Sequence, residues 1–267
     1  MTTQPLASPA DIDAAAQRLF QAIETHTPCA PVRDLIGEND VAAAYRVQEQ
    51  LIAARVGAGA AVVGRKIGAT SKAVQEQLGV DQPDFGVLLD DMEYREDQVV
   101  PMARLLQPKV EAEVAFVLGE DLAEGELDIA QVRGAIDYAV AALEIVDSRI
   151  ENWNISFGDT VADNASSGMY ALGNRPVPLK DVDLRLCGMV MERRGEQVST
   201  GNGAACLGDP LNAVSWLARY ARDFGVPLRA GQVLLSGALG PMRPVAPGQV
   251  VTAHISGLGS ATATFSA

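Results

Sequence analysis

Three glutamates carry the most telling chemistry of this chain. Val110 to Val117 reads VEAEVAFV, a β-strand pattern in which successive side chains alternate between faces. Glu111 and Glu113 therefore share one face, which continues as Ala115 and Val117, while Val110, Ala112, Val114 and Phe116 make the other face wholly apolar. Two carboxylates at the end of a half-buried face need a cation. At about 4 Å and an effective dielectric near 20, two like unit charges repel by roughly 4 kcal/mol. Protonation relieves that repulsion and a divalent ion exploits it. A third carboxylate fits the same pattern: in the run YAVAALEIV, residues 138–146, Glu144 is the one side chain ordinarily charged at pH 7 among apolar neighbours. A lone buried Glu is rare unless paired or bound to metal. The residues also suit a plainer arrangement, with Glu111 and Glu113 in salt bridges on a sheet surface and Glu144 against a buried arginine. Spacing alone leaves both open.

Other ionisable groups narrow the chemistry. The chain has two histidines, His26 near the end of an expected helix and His254 in an expected C-terminal strand. Both are expected to be structural or exposed, so a His-rich zinc site and a histidine base are disfavoured. Cys29, Cys187 and Cys206 are odd in number and widely spaced, which points to a reducing, cytoplasmic setting and to no disulfide framework. The formal net charge of -13 disfavours nucleic acid and anionic membranes as partners. An anionic substrate must then find local positive charge at its site. Gly201-Asn202-Gly203-Ala204-Ala205-Cys206 mimics a dinucleotide fingerprint but has Cys where the third Gly belongs and follows a hairpin, so nucleotide binding is not expected.

The elements that must position these groups follow from pattern. At 267 residues and 48% hydrophobic, the chain supports a substantial core. No stretch reaches 18 uninterrupted apolar residues, so no transmembrane helix is expected, and the opening MTTQPLASPADIDAAAQ lacks a secretory pattern. Residues 8–57 read as helical: Ser8 caps a helix opened by Pro9, and after a loop with Pro28 and Pro31, Asn39 precedes a helix VAAAYRVQEQLIAARV closed by Gly57 and Gly59. From residue 60 the texture is short strands and turns. Val62 to Ile67 reads as a buried strand carrying Lys66, and Thr70 or Ser71 caps a short helix ending at Gly79. A helix over 128–140 leads into the strand with Glu144, and 151–166 reads as an irregular polar loop. A hairpin turns at Arg194-Gly195, Asp209-Pro210 opens an amphipathic helix to about Phe224, and 231–267 gives three short strands. Strands mixed with segregated helices indicate an α+β fold, with an N-terminal helical region, 1–60, and a β-rich catalytic domain, 61–267.

Several segments, taken in order, go beyond spacing. They are Gly64-Arg65-Lys66-Ile67-Gly68-Ala69-Thr70-Ser71-Lys72, Gln82-Pro83-Asp84-Phe85-Gly86, Glu111-Ala112-Glu113, Glu144 to Arg149, Asp159 to Ser166, and Ser236-Gly237-Ala238. Across residues 35–267 this set resembles the 2-keto-4-pentenoate hydratase (2-hydroxypenta-2,4-dienoate hydratase) family of the fumarylacetoacetate-hydrolase-like superfamily. The resemblance implies a mixed β-sheet roll and a Mg²⁺ or Mn²⁺ ion held by Glu111, Glu113 and Glu144. It implies catalytic roles for Lys66, Asp84, Asp163 and Ser166, and substrate contacts from Asn164, Ser236, Gly237 and Val110. Read without it, Lys66 suits a snorkelling strand-end lysine, Asp84 an Asx-type turn, and the 163–166 side chains plain loop hydrogen bonding. The implied reaction is addition of water to 2-hydroxypenta-2,4-dienoate in aromatic meta-cleavage catabolism. Alternatives are a 4-oxalocrotonate-type decarboxylase on the same scaffold, an acylpyruvate hydrolase, or a non-catalytic partner subunit of such a decarboxylase. The resemblance further implies a homo-oligomer, a pentamer or decamer, with a decarboxylase or aldolase as possible partner.

Overall fold

The computed structural model describes residues 6–38 and 40–267. Helices α1 (Pro9–Thr25), α2 (Arg33–Ile36) and α3 (Val41–Gly57) come first, followed by β1 (Val62–Gly68), α4 (Lys72–Leu78), β2 (Asp84–Leu89), β3 (Glu93–Arg95) and β4 (Val99–Val100). The middle of the chain gives β5 (Lys109–Leu118), α5 (Ile129–Ala135), β6 (Ile136–Val146), α6 (Phe157–Ala162) and β7 (Ser167–Leu172). The rest is β8 (Gly188–Arg193), β9 (Glu196–Asn202), α7 (Pro210–Asp223), β10 (Val233–Ala238), β11 (Arg243–Pro244), β12 (Val250–Ile255) and β13 (Gly259–Phe265).

The strands form two mixed sheets, the α+β arrangement expected. The larger runs β2-β1-β10-β5-β6-β7-β3, with β11 beside β5, and the smaller runs β4-β13-β12-β8-β9. The long β5–β6 pair is the spine, and its two faces are unlike. Val110, Ala112, Val114 and Phe116 enter the main core. On the other face Ala115 and Val140 pack with Ala142, Val233 and Leu235 in a smaller cluster, with partly buried Val117 against it. Alternation thus places the glutamates above the smaller cluster. Ile12, Leu19, Val47 and Leu51 of the N-terminal helices join the main core. Gln48 ties α3 to the sheet region by donating to the Phe85 carbonyl at 3.0 Å and the Val161 carbonyl at 2.9 Å.

Local signals explain most element ends. Ser8 makes a capping box with Asp11, and Pro9 opens α1. Ser71 caps α4, which Gly79 closes in the left-handed conformation. Asp209 caps α7 before Pro210. Asp40 caps α3, and Asn39 lies outside the described residues.

Two stretches differ from the pattern. The expected helix over 128–140 ends at Ala135, because Ile136 onward pairs with β5 from Leu118 down to Lys109. Sheet pairing outweighs a short helix's weak local preference there. The stretch 151–166 is not wholly irregular, since Ser156 and Asp159 form a capping box that starts α6. Among the described residues no helix is long and apolar enough to cross a membrane.

Candidate active site

Strand register brings the three glutamates together. Glu111 pairs directly with Glu144 across β5–β6, and Glu113 lies two residues along, opposite Ala142. One carboxylate oxygen from each lies within 4.8 Å of the others. Like charges in directly opposed cross-strand positions destabilise a sheet, so this register needs compensation. Burial comes first in raising Glu111 to about 7, with the Glu144 charge second and the Lys66 charge opposing. Burial and the same glutamate neighbours push Glu113 well above the usual carboxylate range.

Lys66 reaches the trio from β1. Its Nζ stands 3.0 Å from Glu144 Oε1, and both side chains are buried. Burial alone pulls the ammonium down, but Glu144, Asp84, Glu111 and Glu113 outweigh it and hold Lys66 above its ordinary value. Asp84 opens β2 opposite Gly68 and is 3% exposed. Burial raises its carboxyl to about 6, against the pull of Lys66, with Glu144 adding to the rise.

The glutamates have their own support. The Gly237 N–H donates to Glu113 Oε2 at 2.8 Å. Gly237 sits at an irregularity in the β10–β5 ladder with φ +110°, and a Cβ there would meet Thr70 Oγ1 at 2.3 Å. Only glycine meets both demands. Gly237 therefore orients a carboxylate and is not free to donate to a substrate through that amide. Its neighbour Ser236 is fully buried, and its carbonyl accepts from Cys206 Sγ at 2.9 Å. Its hydroxyl is buried without a hydrogen-bond partner.

The loop after α6 carries Ser166 into the site by an unusual route. Asn164, Ala165 and Ser166 have φ of 52°, 52° and 53°, a left-handed turn of three non-glycine residues. Such a conformation costs about 1–2 kcal/mol per residue. Its anchors are specific. Asp163 is fully buried and accepts from the Arg149 amide at 2.9 Å and from Arg149 Nε. Arg149 Nη1 also donates to the Ser167 carbonyl at 2.7 Å. The Asn164 amide bonds both ways with Val87, accepting from its N–H at 2.8 Å and donating to its carbonyl at 2.9 Å. Gly86 lets the loop approach, since a Cβ there would lie 2.5 Å from the Asn164 carbonyl.

Two expectations change accordingly. Asp163 is engaged by Arg149 and does not face the reacting space, and Asn164 is engaged by the β2 backbone. Both side chains hold the loop against its neighbours. Val110 is corrected as well: alternation turns it from the Glu111 face into the main core, where it is fully buried. What remains around one cavity of about 470 Å³ is Lys66, Asp84, Glu111 and Ser166, with Thr160, whose hydroxyl lies 3.1 Å from that of Ser166. Nothing in the sequence singles out Thr160; the Ser156–Asp159 capping box that starts α6 places it on that helix, six residues before Ser166. Arg149, in the Glu144 to Arg149 motif, was likewise given no role, because its partner lies in another segment.

The sequence comparisons agree with this geometry. The family model described as fumarylacetoacetate (FAA) hydrolase C-terminal matches residues 55–266. The chain belongs to the FAA hydrolase family. A 2-keto-4-pentenoate hydratase of Paraburkholderia xenovorans (strain LB400) is 54% identical over 258 residues, covering 97% of this chain and 96% of that protein. A hydratase of Pseudomonas putida F1, described as the TodF product hydratase, is 57% identical over 251 residues, 94% of each chain. Among solved structures, the 4-oxalocrotonate decarboxylase of Pseudomonas putida G7, complexed with magnesium and adipate, superposes with a TM-score of 0.92 at 36% identity, covering 98% of this chain and 100% of that one.

The donor set of this FAA hydrolase family member fits a hard divalent cation. Glu113 Oε1 and Glu144 Oε2 are buried without a hydrogen-bond partner, and Lys66 meets Glu144 Oε1 as an ion pair without a directed hydrogen bond. Three carboxylates with oxygens left over, and no His or Cys grouped with them among the described residues, suit an oxygen-seeking ion.

Proposed function

We propose that this protein is a metal-dependent hydro-lyase that adds water to 2-hydroxypenta-2,4-dienoate, giving 4-hydroxy-2-oxopentanoate. The convergence of Glu111, Glu113 and Glu144 beside Lys66, with Glu111 and Lys66 lining the cavity, carries the reading, and the hydratase names of full-length relatives at 54–57% identity agree with it. Glu111, Glu113 and Glu144 would hold the ion, Mg²⁺ or Mn²⁺. When bound, it supplies Lewis-acid stabilisation of negative charge on the substrate's C2 oxygen.

The chain's own residues do the rest. Lys66, kept charged by its acidic neighbours, offsets the substrate carboxylate that a chain of net charge -13 otherwise repels. The C2 hydroxyl loses its proton and C5 gains one, which leaves a 2-oxo-3-enoate. Its carbonyl draws electrons from C4, where water adds. Asp84 is the carboxyl outside the trio, with Oδ1 buried and unpartnered and a carboxyl held at about 6, suited to passing a proton near neutrality. Ser166, backed by Thr160, is placed to bond the substrate's oxygens or the incoming water. In the same reading the enzyme works in the cytoplasm as a homo-oligomer.

The test is incubation of metal-replete enzyme with 2-hydroxypenta-2,4-dienoate, following loss of the dienoate absorbance and formation of 4-hydroxy-2-oxopentanoate. Chelation should abolish turnover. CO₂ release from 2-hydroxymuconate, with no water addition to the pentadienoate, would instead assign the decarboxylase reaction.

A further inference from the structure

The cavity changes character from floor to rim. The floor groups Lys66 and Asp84 are each 3% exposed, whereas Val74 on α4 and Met242 before β11 are each 38% exposed. Ile155, Trp153 and Pro241 complete an apolar rim. Lys66 is the one cation among the described lining residues, and Glu144 engages it on the floor. The rim is also preformed. Trp153 Nε1 donates to the Gln107 carbonyl at 3.0 Å, and Lys109 Nζ lies 4.0 Å from the Trp153 ring centroid, so that nearby ammonium rests on the ring face. A substrate whose acid end sits on the charged floor must direct its far end along this rim.

We infer that the rim is an alkyl pocket: the enzyme selects 2-hydroxydienoates bearing an apolar substituent at C5, with Val74 and Met242 setting its length, and discriminates against a distal carboxylate. This rests on the hydratase reading. Removing a methylene from water favours binding by about fourfold when burial is complete, so a rim open to solvent should give roughly twofold to fourfold per carbon. A distal carboxylate meets no cation among the described rim residues, the nearby Lys109 ammonium lying against the Trp153 ring instead, and it loses hydration.

The experiment measures kcat/KM of the metal-replete full chain for the unsubstituted dienoate, its 5-methyl, 5-ethyl and 5-propyl analogues, and 2-hydroxymuconate, which carries a carboxylate at C5. We expect a rise of about twofold to fourfold per carbon, seen mainly in KM, and a value for the carboxylate analogue at least about tenfold below the 5-methyl compound. Val74→Phe should lower the propyl-to-unsubstituted ratio at least about tenfold, and Val74→Arg should raise the carboxylate-to-methyl ratio by a similar factor. Ratios cancel any general loss of activity. A flat series in the wild type, or equal use of methyl and carboxylate ends, overturns the inference while turnover of the unsubstituted acid upholds the hydratase. Absence of turnover on every acid removes both.

Discussion

Replacing Gly237 by alanine perturbs the glutamate trio without touching a glutamate. The new Cβ would sit 2.3 Å from Thr70 Oγ1 and 2.5 Å from its Cγ2, at a backbone φ of +110°. Thr70 cannot easily yield: it is buried, β-branched, and its carbonyl accepts from the Leu207 N–H at 3.0 Å. Gly237 must therefore move, and its 2.8 Å bond to Glu113 Oε2 lengthens or breaks. A hydrogen bond to a charged group contributes about 1.5–3 kcal/mol, and loss of a partner that orients a metal ligand typically weakens affinity about 10–100-fold. Gly237→Ala should bind Mg²⁺ or Mn²⁺ about 10–100-fold more weakly by calorimetric titration. Gly59→Ala is the control, since Gly59 has φ +107° with nothing within 4 Å of its Cβ position. It carries the backbone strain alone, about 1–3 kcal/mol, and should leave metal affinity unchanged. If Gly237→Ala binds metal within twofold of wild type, the Gly237 amide does not orient Glu113.

Two further outcomes follow from the same residues. Asp163→Asn leaves Arg149 buried without its anion, which should cost about 3–5 kcal/mol in chemical denaturation; a loss below about 1 kcal/mol would mean that the pair does not anchor the left-handed turn. Metal-free protein should lose stability as pH rises from about 4 to 7. Folding raises Glu111 to about 7 and Asp84 and Asp163 to about 6, so the folded state holds more protons than the unfolded chain in that window. Stability from these groups is complete below their ordinary values and gone above the folded ones. Mg²⁺ needs the deprotonated trio, so its stabilising effect should grow with pH; melting curves that rise with pH without metal would contradict this.

Much of this site was legible because a strand's alternation is strict. Glu111 and Glu113 on one face, and Val110 on the other, both follow from that rule, and Val110 as a ligand contact contradicted it. The pairing of Glu144 with Glu111 depends on strand register, which no local signal fixes. Asp163 looked catalytic because a loop carboxylate carries no mark of its partner, and Arg149 lies 14 residues away in another segment. The resemblance implies a substrate contact for Gly237, but only the fold shows that its amide donates to Glu113. The helix signal over 128–140 was truncated by pairing across the β5–β6 spine, again a contact invisible along the chain.

If Glu111, Glu113 and Glu144 hold one divalent ion, titrating Mn²⁺ into chelator-treated wild type and Glu111→Gln, beside thermal melts of both metal-free proteins, should show it. Wild type should bind one ion per chain, and Glu111→Gln should bind at least about a hundredfold more weakly while being, without metal, as stable as wild type or more so, because a like charge opposite Glu144 is gone. Equal affinity in the two proteins, or no binding by wild type, would contradict it.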